Sequence, residues 1–288
     1  MTRPVGFQIE SYRILGVLAQ GGFSTVYLAH DQDATPVALK EYRPLAPGQD
    51  AVAWRRGLQC FFEEGRALVR LNHPNVVRVL NFFRAFDTAY LAMRYEVGCS
   101  LQEHIEQRRG DLPEAWLRRV FVGLLHGLRE VHSARLLHLD VKPGNIYVRH
   151  NGVPMLIDFG AARTPLSPDR PRLAATYTTG FASPEHHNPG PWSDIYSVGA
   201  SLYACLAAAA PLPASERMQN DRLVPARRRW PGRYSDKLLA IIDWCLRLDP
   251  RLRPQSVLAL QKALLGEKDP ERRSRLPFLG LLKRKRPV

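Results

Sequence analysis

The feature that most constrains this 288-residue chain is an ordered series of charged and polar residues, each set at the edge of an apolar segment. Val37-Ala38-Leu39-Lys40 ends an apolar strand in an ammonium, which needs an anion once it is desolvated. Glu64 follows 24 residues later, inside a helical pattern over 51–71 that carries Trp54, Leu58, Phe61 or Phe62, Leu68 and Leu71 on one face. Its neighbour Glu63 points about 100° away around such a helix, toward solvent. His138-Leu139-Asp140-Val141-Lys142-Pro143-Gly144-Asn145 comes next, then Leu156-Ile157-Asp158-Phe159-Gly160 directly after apolar strand residues. Ser183-Pro184-Glu185 and Asp249-Pro250-Arg251-Leu252-Arg253-Pro254 close the series. A surface lysine or a plain turn would explain any one of these alone. Their common order does not reduce to packing.

The segments between them read as strands first and helices later. Ser11–Ala19 and Ser24–His30 are apolar, β-branched runs around a Gln20-Gly21-Gly22 turn, and Pro36–Glu41 is a third strand. His73-Pro74-Asn75 stops the helix, since the residue before proline resists the helical region. Val76–Phe83 and Ala89–Tyr95 read as two more strands. From Ser100 onward the pattern is helical, with helices expected over Glu114–Ala134, Ile195–Ala210, Leu238–Leu248 and Pro254–Leu265. Short strands are expected near Ile146–Arg149 and Val153–Ile157.

The series resembles the eukaryotic-like (Hanks-type) Ser/Thr protein kinases, especially their bacterial members, from about Ser11 to Leu265. The stretch from Leu18 to Tyr27 resembles the glycine-rich loop, Val37 to Lys40 the lysine strand, His138 to Asn145 the catalytic loop, and Asp158-Phe159-Gly160 the metal-binding turn. The resemblance implies an α+β, bilobal fold: an antiparallel β-sheet lobe with one helix over 1–97, a larger, mainly helical lobe over 98–266, and a basic tail over 267–288. It implies transfer of the ATP γ-phosphate to Ser/Thr hydroxyls of protein substrates, with autophosphorylation. Asp140 would orient the substrate hydroxyl and take its proton, and Lys142 would steady the γ-phosphate. Asn145 and Asp158 would hold Mg²⁺, or Mn²⁺ in its place, because both offer oxygen ligands. ATP would be bound by Ala19, Gly21, Ser24, Val26, Ala38, Lys40 with Glu64, the gatekeeper Met93, and the hinge around Tyr95. Leu68, Val79, His138 and Phe159 would stack to couple the lobes, Asp194 would brace the catalytic loop, and Arg253 would pair with Glu185. Small-molecule kinases share the Asp and Asn but lack the counterparts of Lys142, Glu185 and Arg253, so the resemblance is to protein kinases. Lys142 with Thr178 resembles the Ser/Thr class.

The chain departs from that pattern at three positions. Ala19 and Ser24 stand where glycines cover the phosphates, and Leu139 stands where an arginine commonly binds an activation-segment phosphate. They are the sequence support for the alternative reading, a pseudokinase serving as a nucleotide-binding scaffold. Lys40, Glu64, Asp140, Asn145 and Asp158 are all intact and favour the enzyme.

Charge bears on partners. The formal net charge is +14, of which the tail carries +5. That balance favours polyanions without choosing among them. Specific nucleic-acid binding is not expected, because no recognised motif accompanies the charge. The tail, an apolar heptapeptide between basic clusters, could touch an anionic membrane or a partner protein, while Pro277 and Gly280 argue against a regular amphipathic helix. The four cysteines, Cys60, Cys99, Cys205 and Cys245, are too scattered for a disulfide scaffold or a zinc site. With no apolar run suited to a signal peptide or a membrane span, the expected location is the cytoplasm.

Overall fold

The computed structural model describes residues 2–22, 24–43, 51–160, 162, 178–185 and 187–266; the side chains at 51–54, 56, 60, 63, 64 and 67 fall outside that set. The small lobe is built on β1 (Gln8–Ile9), β2 (Tyr12–Gln20), β3 (Ser24–His30), β4 (Pro36–Tyr42), the helix α1 (Ala51–Val69), β5 (Val79–Ala85) and β6 (Thr88–Arg94). Its six strands are antiparallel in the order β1-β2-β3-β4-β6-β5. Period-two alternation gives the sheet two different faces. Tyr27, Val37, Leu39, Tyr90 and Ala92 form one buried cluster with Ile9, Tyr12 and Ile14. On the opposite face Tyr42, Ala89 and Leu91 pack against Leu58 and Phe61 of α1. Val26 and Ala38 are left half-exposed between their buried neighbours.

Expected and observed strands agree to within a few residues, with one instructive exception. The run expected from Val76 begins at Val79. Val76 instead bridges Leu156 in parallel, and Val77 N–H donates to Leu156 O at 2.9 Å. Two β-branched residues that read as strand are spent on joining the lobes. Asn75 supports that junction: its side-chain amide donates to Pro154 O at 2.6 Å, and a Cβ at Gly127 would collide with the Asn75 backbone.

The large lobe follows with β7 (Gly98–Ser100), α2 (Leu101–Arg108), α3 (Glu114–Ser133), β8 (Ile146–Arg149), β9 (Pro154–Leu156), α4 (Pro191–Ala207), α5 (Ala214–Gln219), α6 (Ala226–Arg229), α7 (Asp236–Cys245) and α8 (Val257–Leu265). Ser100 and Glu103 form a reciprocal capping box at the start of α2. The helix α4 is buried nearly all round, as its composition requires, and forms the centre of the lobe. It begins at Pro191, four residues before the expected Ile195, because proline is tolerated in a first turn. One continuous core runs from Leu68 and Val79 through α3 to α8. Among the described residues no helix is long and apolar enough to cross a membrane.

Candidate active site

The catalytic loop is held from below by α4. Asp194, in the first turn of α4 and fully buried, accepts the backbone N–H of His138 at 3.0 Å and of Leu139 at 2.7 Å. His132 Nε2 lies 2.8 Å from the same carboxylate. Burial pushes the Asp194 carboxyl up, but the His132 contact and the backbone hydrogen bonds outweigh it, so the group lies below its ordinary value. Leu139 sits at φ 61°, a left-handed conformation that a bulky residue rarely adopts. The two N–H bonds to Asp194 hold it there.

The strained turn delivers Asp140 into a closed hydrogen-bonded ring. Asp140 Oδ1 accepts the hydroxyl of Thr178 at 2.7 Å. Asp140 Oδ2 takes Lys142 Nζ at 2.7 Å and Asn145 Nδ2 at 2.8 Å. Lys142 Nζ also donates to Thr178 Oγ1 at 2.7 Å. Asn145 is placed by a short 3₁₀ turn over Pro143–Asn145, and its side-chain amide also donates to Asp140 O at 2.9 Å. Three side chains, one of them 38 residues away, therefore fix one carboxylate.

Asp158 follows β9, also with a left-handed φ of 59°. Lys40 reaches it from β4 of the small lobe, Nζ to Oδ1 at 2.8 Å. The lysine charge holds the Asp158 carboxyl well below the usual carboxylate range, against the effect of burial. Phe159 turns inward onto His138, ring centroids 4.5 Å apart, and Leu68, Val79, His138 and Phe159 are all buried. Asp140 N–H donates to His138 Nδ1 at 3.3 Å, so Nε2 carries the proton and donates to Ile157 O at 3.3 Å. Burial lowers the His138 pKa and keeps the ring neutral.

Below the catalytic loop, Glu185 and Arg253 form a two-pronged pair at 2.7 and 2.9 Å. The Arg253 side chain is fully buried, donates to the carbonyls of Arg247, Leu248 and Trp192, and lies over the Tyr196 ring at 4.9 Å. Ser193 donates to Glu185 at 2.7 Å.

The protein kinase domain profile matches residues 12–265. The chain belongs to the protein kinase domain family. It is 32% identical over 283 residues to the serine/threonine-protein kinase pkn3 of Myxococcus xanthus, covering 91% of this chain and 50% of that one. It is 30% identical over 271 residues to the serine/threonine-protein kinase Nek3 of Mus musculus, covering 90% and 50% respectively. The chain thus spans about half the length of these curated relatives. The solved structure of the PpkA-294 apo form superposes with a TM-score of 0.83 at 30% identity, over 91% of this chain and 99% of that one. The bilobal kinase fold and the bacterial-type Ser/Thr kinase resemblance both stand.

The remaining expected residues lie on the β2–β3 hairpin, on β3, β4 and β6, and in the link that follows β6. Ala19 and Gly21 are exposed in the β2–β3 hairpin, where Gly21 N–H donates to Ser24 O at 2.8 Å and Ala19 pairs with Val26. A Cβ on Gly21 would meet Ser24 O at 3.7 Å, so packing within the turn does not demand glycine. Ala38 lies opposite Met93 in the β4–β6 register. Tyr95 lies, half-buried, in the link between β6 and β7. The pairing of Glu64 with Lys40 concerns a side chain outside the described residues, although α1 carries that position. The tail and the hydroxyls of Thr164, Ser167, Thr176 and Tyr177 also lie outside them.

Three sets of contacts escaped the sequence reading. Thr178, whose presence with Lys142 resembles the Ser/Thr class, also bonds both Asp140 and Lys142. His132 is one of the groups on Asp194, and a lone histidine in an apolar helix gave no signal. Tyr147, on β8, donates its hydroxyl to Gly98 O at 2.7 Å and to Glu96 O at 3.2 Å, while Arg149 reaches the Glu96 carboxylate at 3.3 Å. These contacts tie the hinge to the large lobe.

Proposed function

We propose that this chain is an active protein Ser/Thr kinase that transfers the γ-phosphoryl group of ATP to hydroxyls of protein substrates, itself included. The carrying observation is the ring of Thr178, Lys142 and Asn145 around Asp140. It holds one carboxylate in a fixed orientation, from which that carboxylate can orient a hydroxyl and receive its proton. A positioned base of this kind is worth about 10²- to 10⁴-fold. Lys142 supplies positive charge beside the transferred group, and Lys40 anchors the α- and β-phosphates from above. Phosphoryl transfer needs little else from the protein, because positioning and charge stabilisation dominate it.

Mg²⁺ fits the donors present, with Mn²⁺ able to take its place. Asn145 spends its amide nitrogen on Asp140 and so keeps its oxygen for a cation. The Asp158 carboxylate is held ionised by Lys40. Among the described residues no group of three or more His, Cys, Asp or Glu could hold a metal. Two oxygen donors suit a hard cation whose shell is completed by phosphate oxygens and water. When bound, it would neutralise charge on the β- and γ-phosphates.

The intact carboxylates and the buried Glu185–Arg253 pair favour the enzyme over a scaffold. The test is labelled ATP with Mg²⁺, the full chain and a basic protein substrate, followed by phosphoamino-acid analysis. Phosphoserine or phosphothreonine is expected. Phosphotyrosine alone would contradict the Ser/Thr assignment.

A further inference from the structure

Lys40 and Glu41 are neighbours on β4, so their side chains leave opposite faces of the sheet. Lys40 enters the cleft. Glu41 enters the outer face, where its side chain is only 4% exposed. A carboxylate so deeply buried persists in a fold when it is paired and hydrogen-bonded. Tyr27 on β3 donates to Oε2 at 2.8 Å, and Tyr90 on β6 donates to Oε1 at 2.7 Å. One carboxylate thereby bridges the two strands that flank β4. The rung it clamps, Thr25–Glu41–Tyr90, is adjacent to the rung of Lys40, Val26–Lys40–Leu91.

The charge partner comes from outside the sheet. Arg3 Nε donates to Glu41 Oε1 at 3.0 Å, and Arg3 N–H donates to the Tyr27 hydroxyl at 3.1 Å. The guanidinium lies against the rings of Phe7 and Phe86, at 5.3 and 5.0 Å. Tyr12, Phe83 and Tyr90 stack in sequence beneath, at 5.5 and 5.4 Å. The family match begins at residue 12, so Arg3 and Phe7 are supplied by chain that precedes it.

We propose that Glu41, gripped by Arg3, is a positioning residue for Lys40, and that residues 2–9 brace the nucleotide site from the back of the sheet. The inference rests on the reading of Lys40 as the phosphate-anchoring lysine. Without Arg3 the buried carboxylate is left to Arg43, whose Nε stands 3.8 Å away. Breaking a buried pair by removing one partner leaves an uncompensated charge, whereas neutralising both sides relieves it. The Tyr27–Glu41–Tyr90 bridge between the strands that flank Lys40 then holds a carboxylate stripped of its nearest cation and drawn toward Arg43, which shifts the rung beside Lys40.

The test uses the full chain with Arg3→Met, Arg3→Lys, the double variant Arg3→Met/Glu41→Gln, and Lys40→Met as a reference. Steady-state KM for ATP, kcat and thermal melting are measured on each. Arg3→Met is expected to raise KM for ATP by about fivefold or more while changing kcat less. Arg3→Lys keeps the charge and stays near wild type. Glu41→Gln keeps a bridge between Tyr27 and Tyr90 but needs no cation, so the double variant recovers KM toward wild type. A lower melting temperature for Arg3→Met with KM unchanged, or no recovery in the double variant, overturns the brace. Wild-type kinetics indifferent to Lys40→Met would overturn the reading of Lys40 and the brace together.

Discussion

Lys40 Nζ stands 2.8 Å from Asp158 Oδ1, across 118 residues of sequence and across the two lobes. The contact joins a strand of the small lobe to the turn after β9, and it sets a cation beside the carboxylate proposed to hold the metal. Removing the cation should therefore harm transfer more than folding. Lys40→Met is expected to lower transfer by at least about 10²-fold, the order found when a preorganised charge is deleted from a reacting site. Steady-state kinetics and thermal melting check this. A variant that melts early yet keeps its turnover per folded molecule would contradict it.

Thr178 joins Asp140 and Lys142 through a single hydroxyl. Thr178→Ser retains that oxygen and should stay near wild type. Thr178→Val keeps the shape and loses both bonds, which should lower kcat about tenfold to a hundredfold through misplacement of the base. Comparing kcat with KM for ATP in the two variants decides the point, since KM should hardly move.

Leu139 faces a small cavity lined by Ala182, Ser183, Glu185, Pro189, Ser193 and Ser197. That lining holds a carboxylate and contributes no cation, so it is a poor receptor for a phosphate. Replacing Thr164, Ser167, Thr176, Tyr177 and Thr179 together should leave basal activity within about threefold, because Leu139 stands where an arginine commonly reads such a phosphate. A loss of tenfold or more would show that phosphorylation switches this kinase by another route.

Glu185 and Arg253 set a pH dependence whose sign follows from the structure. Burial raises the Glu185 carboxyl, but the Arg253 hydrogen bonds and charge, with Ser193, outweigh it, so the group lies below its ordinary value. The pair's contribution is therefore complete above about pH 4.5, the unfolded glutamate range, and is lost as pH falls through the lower folded value. Arg253→Met should cost about 3–5 kcal/mol at neutral pH, as expected for a buried pair broken on one side. Denaturant titrations of both proteins from pH 7 to pH 3 should show the difference narrowing toward acid. A constant difference would mean that packing of the Arg253 stem, rather than its charge, carries the effect.

Much of this site was legible in the sequence because each chemical role falls at the edge of a periodic segment. Lys40 ends a strand, Asp158 follows one, and Asp194 opens a helix, so local pattern and fixed order located them. What stayed hidden depends on contacts between distant residues of unremarkable type. A histidine and a tyrosine carry no signal of their own, and nothing in the sequence announced that Thr178 bonds Asp140, yet Thr178, His132 and Tyr147 complete the base, the loop anchor and the hinge. Val76 and Val77 misled for a related reason. Their β-branched character read as a continuing strand, while tertiary pairing with Leu156 took them across to the other lobe. In the sequence Glu41 reads only as the last residue of a strand, and only the sheet brings Tyr27, Tyr90 and Arg3 to it.

The most direct test of the central claim compares wild type with Asp140→Asn in the presence of labelled ATP, Mg²⁺ and a protein substrate, with nucleotide binding measured on both. The account predicts that both bind nucleotide and that transfer by wild type disappears in the variant. Equal transfer by the two proteins, or nucleotide binding by wild type with no transfer to any serine or threonine, would contradict it.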